Sequence, residues 1–272
     1  DYPYFVDMNT IGCGGSLIAP RVVLSAAHCG DRGNEFVNED VVVGAYRNVG
    51  PSSSLSGAAV RVNVNTQVNH PDFDDDGQLE YDFMLLRLDD AVNIAEPRLT
   101  ISDRGGLNQP QAGTDLTVIG VGTTSSGGSS ASFLREVVVP VVGYDECEDA
   151  YGSGLYQNVM FCAGDTTDGG IDSCQGDSGG PIIDTGDSRL HVQVGVVSWG
   201  NGCALRNFPG VYSKVGHVYS WIQGVVCNDW GETAEFCGNS GPNPSPTPRP
   251  TPQPTPQPTP QPTPQPTPRP TP

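Results

Sequence analysis

Over roughly its first two hundred residues the chain carries its apolar residues in short runs. "RVVLSAA" (21–27), "DVVVGAY" (40–46), "DFMLLRL" (82–88), "DLTVIGV" (115–121) and "LREVVVPVV" (134–142) are separated by clusters of Gly, Asn, Asp, Ser and Pro. Val60, Val62 and Val64 alternate with Arg61, Asn63 and Asn65, and Val192, Val194 and Val196 alternate likewise. A period of two marks strands with one buried face, and many short strands broken by turn signals predict an all-β antiparallel sandwich or barrel. There is no βαβ rhythm. One late stretch changes period: Val215, Val218, Ile222 and Val225 fall at helical spacing inside "KVGHVYSWIQGVV". That spacing predicts a short amphipathic helix closing the domain.

The chain then changes character twice. "CNDWGETAEFCG" (227–238) brings Cys227 and Cys237 near enough to close a small local loop, and from Gly241 to Pro272 every second residue is proline. A Thr-Pro-Gln-Pro repeat cannot bury a core. It predicts a disordered, polyproline II-like spacer reaching roughly 100 Å at about 3.1 Å per residue, with threonines suited to O-glycosylation. The expected organisation is one β domain over 1–226, a clipped extension over 227–240 and a Pro/Thr/Gln-rich linker over 241–272. At 272 residues the chain has ample length for a core before the linker begins.

The formal net charge of −18 argues against nucleic acid and anionic membranes as partners, and serves solubility or attraction of cationic peptides. No apolar run approaches the roughly 20 residues of a membrane span, and no signal peptide is present, so the chain reads as mature or excerpted. Eight cysteines without a CxxC pair point to disulfides in an oxidising, extracellular compartment rather than to zinc. Their pairing is not fixed by sequence alone.

The stretch "DSCQGDSGGP" (172–181) sets Ser178 among glycines. A serine hydroxyl becomes nucleophilic only with a base in reach, a third group orienting that base, and N–H donors for the oxyanion that forms. Taken alone, Asp-Ser-Gly reads as a tight turn. Of four histidines, His70, His191 and His217 read as surface or packing residues. His28 differs, since it ends a buried strand with Cys29 beside it. Most of the 31 acidic residues belong to solvated faces, but Asp82 heads an apolar strand. A carboxylate entering a core must be paired or hydrogen-bonded, which suits it to hold an imidazole N–H.

With these residues in view, the chain resembles the chymotrypsin–trypsin family of serine endopeptidases. The resemblance is carried by "CGGSLIAPRVVLSAAHC" (13–29), "YDFMLLRL" (81–88), "MFCAGDTTDGGIDSCQGDSGGP" (160–181), "VSWGNGC" (197–203) and "PGVYSKV" (209–215), in the family's His, Asp, Ser order. It implies two antiparallel six-stranded β-barrels with a short C-terminal helix and a site in the cleft between them. It also implies a triad in which His28 is general base and acid, Asp82 orients it and Ser178 attacks, with Gly176 and Ser178 amides as the oxyanion hole. Asp172 falls at the floor of the specificity pocket, Ser173 beside it, and Gly200 and Gly210 at its walls. Ser198 and Trp199 line the substrate channel. The implied specificity is for Arg or Lys. Three family bridges carry over, Cys13–Cys29, Cys147–Cys162 and Cys174–Cys203. Cys227–Cys237 remains by elimination, unless one of these two reaches a segment not in hand.

Several features depart from the family. Its active members begin with a freed Ile-Val-Gly-Gly-type terminus whose ammonium pairs with the acid before the nucleophile, here Asp177, as an activation salt bridge. This chain begins at "DYPYFV", past that point, which reads as an excerpt rather than as a chain that cannot order its pocket as its relatives do. Leu116 and Asp184 replace a frequent bridge, and Val121 stands where tryptophan is usual. The loop "GAYRNVGPSSSLSGAAV" (44–60) has no carboxylates, so no calcium, and no other metal or cofactor, is expected. The reading is a secreted, monomeric trypsin-like endopeptidase acting on Arg/Lys-containing proteins or peptides, open to proteinaceous inhibitors and tethered through its tail to a further module. The alternative is a catalytically inactive homologue serving as a secreted binding or adhesion module. All three triad residues are present, which favours the enzyme.

Overall fold

The computed structural model describes residues 2–8, 12–30, 35–48, 54–55, 57–74, 79–96, 98–103 and 110–238. The Pro-rich linker and its expected disorder lie outside the described residues, as do parts of the loops over 31–39, 49–56 and 75–78.

The alternating runs form the expected strands. β1 (Phe5–Asp7), β2 (Gly14–Ala19), β3 (Val22–Ser25), β4 (Asp40–Val43), β5 (Val60–Asn69) and β6 (Met84–Leu88) close an antiparallel barrel in the order β1-β2-β3-β6-β5-β4. After β7 (Arg98–Ile101) come β8 (Asp115–Gly120), β9 (Arg135–Val142), β10 (Met160–Ala163), β11 (Pro181–Asp184), β12 (Leu190–Trp199) and β13 (Gly210–Lys214). These last six run β11-β8-β9-β10-β13-β12, and pairing of β11 with β12 closes the second six-stranded barrel. β7 is an addition to that plan. It lies parallel to β12, with Leu190 opposite Arg98 and Gln193 opposite Ile101, and so ties the segment between the barrels to the second one.

The predicted helix is α2 (Val215–Gln223), which continues as a π-helical turn through Asp229. Val215, Val218 and Ile222 are buried, as the spacing requires, in one apolar cluster with Leu17, Val92 and Leu99 of the first half of the chain. A second helix, α1 (Tyr144–Tyr151), corrects the reading of this region as strands only. Its sequence "YDECEDAY" buries only Cys147, so it carries no apolar stripe from which to read a period. Among the described residues no helix is long and apolar enough to cross a membrane.

Four disulfides join Cys13 to Cys29, Cys147 to Cys162, Cys174 to Cys203 and Cys227 to Cys237. The last closes a loop within the C-terminal extension, starting from the π-helical turn that follows α2. Phe236 is buried, and Tyr219 Oη and Gln223 Nε2 both donate to its carbonyl, at 3.3 and 2.8 Å.

Candidate active site

β3 runs into a 3-10 turn (Ala27–Gly30) that carries His28, and the Cys13–Cys29 bridge fixes that turn to the start of β2. Asp82 stands just before β6 and is fully buried. It is aimed by an unusual backbone. Tyr81 has φ of 53°, a left-handed value that costs a non-glycine residue about 1 kcal/mol, and the Phe83 amide donates to the Tyr81 carbonyl at 2.7 Å. His70 stacks on the Tyr81 ring at 4.7 Å and holds the kink.

The two carboxylate oxygens of Asp82 are occupied by three donors. Oδ1 accepts the His28 backbone amide at 2.9 Å, and Oδ2 lies 2.7 Å from His28 Nδ1 and accepts Ser198 Oγ at 2.5 Å. The imidazole keeps 23% of its side-chain surface exposed while its carboxylate partner keeps none. Nδ1 is therefore fixed by the carboxylate, while Nε2 lies 3.9 Å from Cys29 Sγ.

The loop bearing Ser178 is bound to the same strands. Gly14 donates its amide to the Ser178 carbonyl at 2.7 Å, and Ser25 Oγ donates to the Gly14 carbonyl at 2.8 Å. The Asp177 amide reaches back to the Cys174 carbonyl at 2.9 Å, across a turn whose third residue, Gly176, has φ of 93°. This is the type II arrangement, which requires glycine there. Asp177, Gly179 and Gly180 spend their amides on carbonyls. Among the described residues, the amides of Gly176 and Ser178 donate to no protein acceptor. Two N–H groups on either side of Asp177, in the loop that carries the Ser178 hydroxyl, suit a developing oxyanion.

Asp172 lies against Gly210, one of the two glycines named from the motif. A methyl on Gly210 would stand 2.6 Å from Asp172 Oδ1, and one on Gly200 would face Gly210 Cα at 3.8 Å. The carboxylate accepts the amides of Ser173 at 2.8 Å and Ala204 at 3.0 Å, yet burial outweighs these bonds and pushes its pKa up to about 6. Ser173 Oγ sits 3.2 Å from the hydroxyl of the buried Tyr212. Trp199 meets Tyr151 edge-on at 4.8 Å, and Tyr151 donates to the Pro209 carbonyl at 2.6 Å. Tyr151 escapes a motif reading because it belongs to no reactive pattern, and Tyr212, although inside "PGVYSKV", has no role assigned there. Their signal is only their aromatic bulk beside the cysteine and glycine motifs.

Burial likewise holds the Asp177 carboxyl above the usual range. Its oxygens accept the Gly122 and Cys174 amides, both at 2.8 Å. A methyl on Gly120 or Gly122 would lie within 2.6 Å of Asp177 Oδ1, so these two glycines are the cradle of that side chain. The other histidines lie elsewhere: His70 against Tyr81 and Trp221, His217 against Tyr81, and His191 bonded through Nδ1 to Tyr4 Oη at 2.5 Å. Among the described residues, the one close group of metal-type ligands, Cys13, His28 and Cys29, is a disulfide beside an imidazole, and its sulfurs are not free to coordinate.

The trypsin family model matches residues 1–222. The chain is 38% identical over 234 residues to trypsin 5G1 of Aedes aegypti, covering 83% of this chain and 80% of that protein. It is 37% identical over 226 residues to a trypsin of Saccharopolyspora erythraea, covering 80% and 90%. To the trypsin of Sus scrofa it is 36% identical over 227 residues, covering 82% and 90%.

Proposed function

The chain belongs to the trypsin family and is a serine endopeptidase, and on that premise we propose that it cleaves proteins after arginine or lysine through an acyl-enzyme formed on Ser178. The observation that carries this reading is the fixed His28–Asp82 pair, with a buried carboxylate, Asp172, against Gly210. In the proposed cycle His28 Nε2 takes the proton of Ser178 as its oxygen attacks the scissile carbonyl. Asp82 keeps the ring proton on Nδ1 and stabilises the imidazolium. The Gly176 and Ser178 amides receive the oxyanion, His28 returns the proton to the leaving amine, and water repeats the sequence on the ester.

Asp172 supplies the charge for a guanidinium or ammonium, and Ser173 a hydroxyl beside it. Gly200 and Gly210 leave room for the long stem, and Ser198 and Trp199 flank the substrate backbone. Asp177 is the acceptor for an ammonium freed on activation. Four disulfides favour secretion, and the segment after residue 240 is read as a tether.

A fluorophosphonate probe tests the catalytic part and peptide amides test the pocket. The expected result is labelling at Ser178 and hydrolysis of Arg and Lys amides far ahead of Phe or Leu amides. Folded, processed protein that resists the probe would favour a binding module instead. Preference for Phe would overturn the pocket assignment.

A further inference from the structure

Ser25 is fully buried in β3, three residues before His28, and plays no part in the proton transfers above. It nevertheless sits where three backbone segments meet. Its hydroxyl donates to the Gly14 carbonyl at 2.8 Å, and the Gly14 amide donates to the Ser178 carbonyl at 2.7 Å. From the other side Gly179, at φ 78° and with its amide on the Val197 carbonyl at 2.8 Å, presents its bare Cα to the same place. A methyl on Gly179 would stand 2.2 Å from Ser25 Oγ, 2.5 Å from the Gly14 carbonyl and 3.2 Å from the Ala26 amide. The hydroxyl therefore fills the gap between the strand that carries the base and the loop that carries the nucleophile.

We propose that Ser25 is a positioning residue that sets the separation of Ser178 from His28 through Gly14 and Gly179. A nucleophile and its base must be held to within a fraction of an ångström, and a displacement of about 1 Å can cost 10²-fold in rate. Removing one oxygen at this junction removes the donor to Gly14 and leaves Gly179 without a surface to rest on. The strands need not come apart for that to matter. Asp172 shares the loop with Ser178, but its carboxylate is held by the Ser173 and Ala204 amides and lies against Gly210, away from Ser25, so the pocket is expected to keep its geometry.

This inference rests on the proposed peptidase reading, so its test has one readout that depends on activity and one that does not. Three variants of the full chain serve. Ser25→Ala removes the hydroxyl, Ser25→Thr keeps it on a side chain suited to a strand, and Ser25→Val copies the shape of threonine without the donor. Ser25→Ala is expected to lower kcat on an Arg amide, and the rate of fluorophosphonate labelling, by about tenfold. KM and the affinity for benzamidine, which report the pocket, should stay within about twofold. Ser25→Thr should recover more of kcat than Ser25→Val. By hydrogen exchange, the Gly14 and Gly179 amides of Ser25→Ala should open at least about fivefold faster than in the parent, with Val23 and Leu86 unchanged.

Unaltered kcat in Ser25→Ala would overturn the proposal. So would equal kcat in the Thr and Val variants, or a parallel loss of kcat and benzamidine affinity, which marks general loosening. If the parent itself resists the probe, the peptidase reading fails. Exchange at Gly14 and Gly179 then still decides whether Ser25 holds the loop.

Discussion

His28 and Asp82 meet twice: the ring Nδ1 lies 2.7 Å from Oδ2, and the His28 backbone amide donates to Oδ1 at 2.9 Å. The second contact makes the first directional. With Oδ1 committed to an amide, the other atom of the side chain must be the one that faces the ring. In Asp82→Asn the oxygen would keep the backbone amide and the NH₂ would face Nδ1. A donor there forces the ring proton onto Nε2, the atom that has to accept the proton of Ser178. The expected loss in kcat is about 10⁴-fold, the size this change has in the serine-protease template, with KM little altered. Steady-state kinetics on an Arg amide check it, and a loss below about tenfold would remove Asp82 from the role given to it.

Asp172 gives the molecule a pH dependence that can be read apart from catalysis. Burial pushes its carboxyl up to about 6, so an empty pocket becomes neutral as the pH falls through that value. A cationic ligand binds the ionised form. Benzamidine affinity should therefore be flat above about pH 7 and fall toward tenfold per unit well below pH 6. In Asp172→Asn the same ligand should bind weakly and without a break near pH 6. Calorimetry on both proteins from pH 4.5 to 8 separates the cases, and a parent profile flat down to pH 5 would contradict the assignment.

The strands and the closing helix were legible because their period follows burial. Val62 and Val64 face the core of the first barrel while Val60 is 40% exposed, and Val215, Val218 and Ile222 line one side of α2. A continuous apolar run was a poorer guide. In β9 Val139 is fully buried but its neighbour Val138 is 53% exposed, since adjacent strand residues point to opposite faces. α1 left no trace because a helix that buries one cysteine has no stripe, and β7 is only four residues long. At the site, His28, Asp82 and Ser178 could be picked out by their company in the chain. Ser25, Gly120 and Gly122 could not. Their importance lies in how near they come to residues more than fifty positions away, and no local pattern records a close approach.

The buried Asp172 carboxylate also bears on stability. For a carboxyl whose folded pKa of about 6 lies above its unfolded value of 3.8, the folded state holds its proton longer. The group therefore favours the fold at low pH, and that contribution is lost as pH rises from about 4 through 6. Two pKa units correspond to up to about 3 kcal/mol, and partial solvent contact brings this nearer 2. Asp172→Asn should accordingly be more stable than the parent by about 1–2 kcal/mol at pH 8, and equal to it below about pH 4. Urea unfolding at the two pH values checks it, and a variant less stable at pH 8 would show that the Ser173 and Ala204 amides outweigh desolvation.

The C-terminal extension lies beyond the matched family domain, and its contacts predict a structural role without a catalytic one. Arg87 of β6 donates through Nε to Glu232 Oε1 at 3.0 Å and through an η nitrogen to the Trp230 carbonyl at 3.1 Å. Phe236 is 4% exposed and joins the apolar cluster that contains α2. Truncating it leaves a cavity under the clip, so Phe236→Ala should cost about 3 kcal/mol in guanidinium unfolding. Replacing Cys227 and Cys237 together by serine opens a loop of sequence separation 10 and should cost about 2–3 kcal/mol. Neither change touches His28, Ser178 or Asp172, so kcat/KM on an Arg amide should stay within about twofold at temperatures where the variants remain folded. A cost below about 1 kcal/mol for Phe236→Ala would make the extension a passenger on the barrels. A large fall in kcat/KM with intact stability would tie it to the cleft instead.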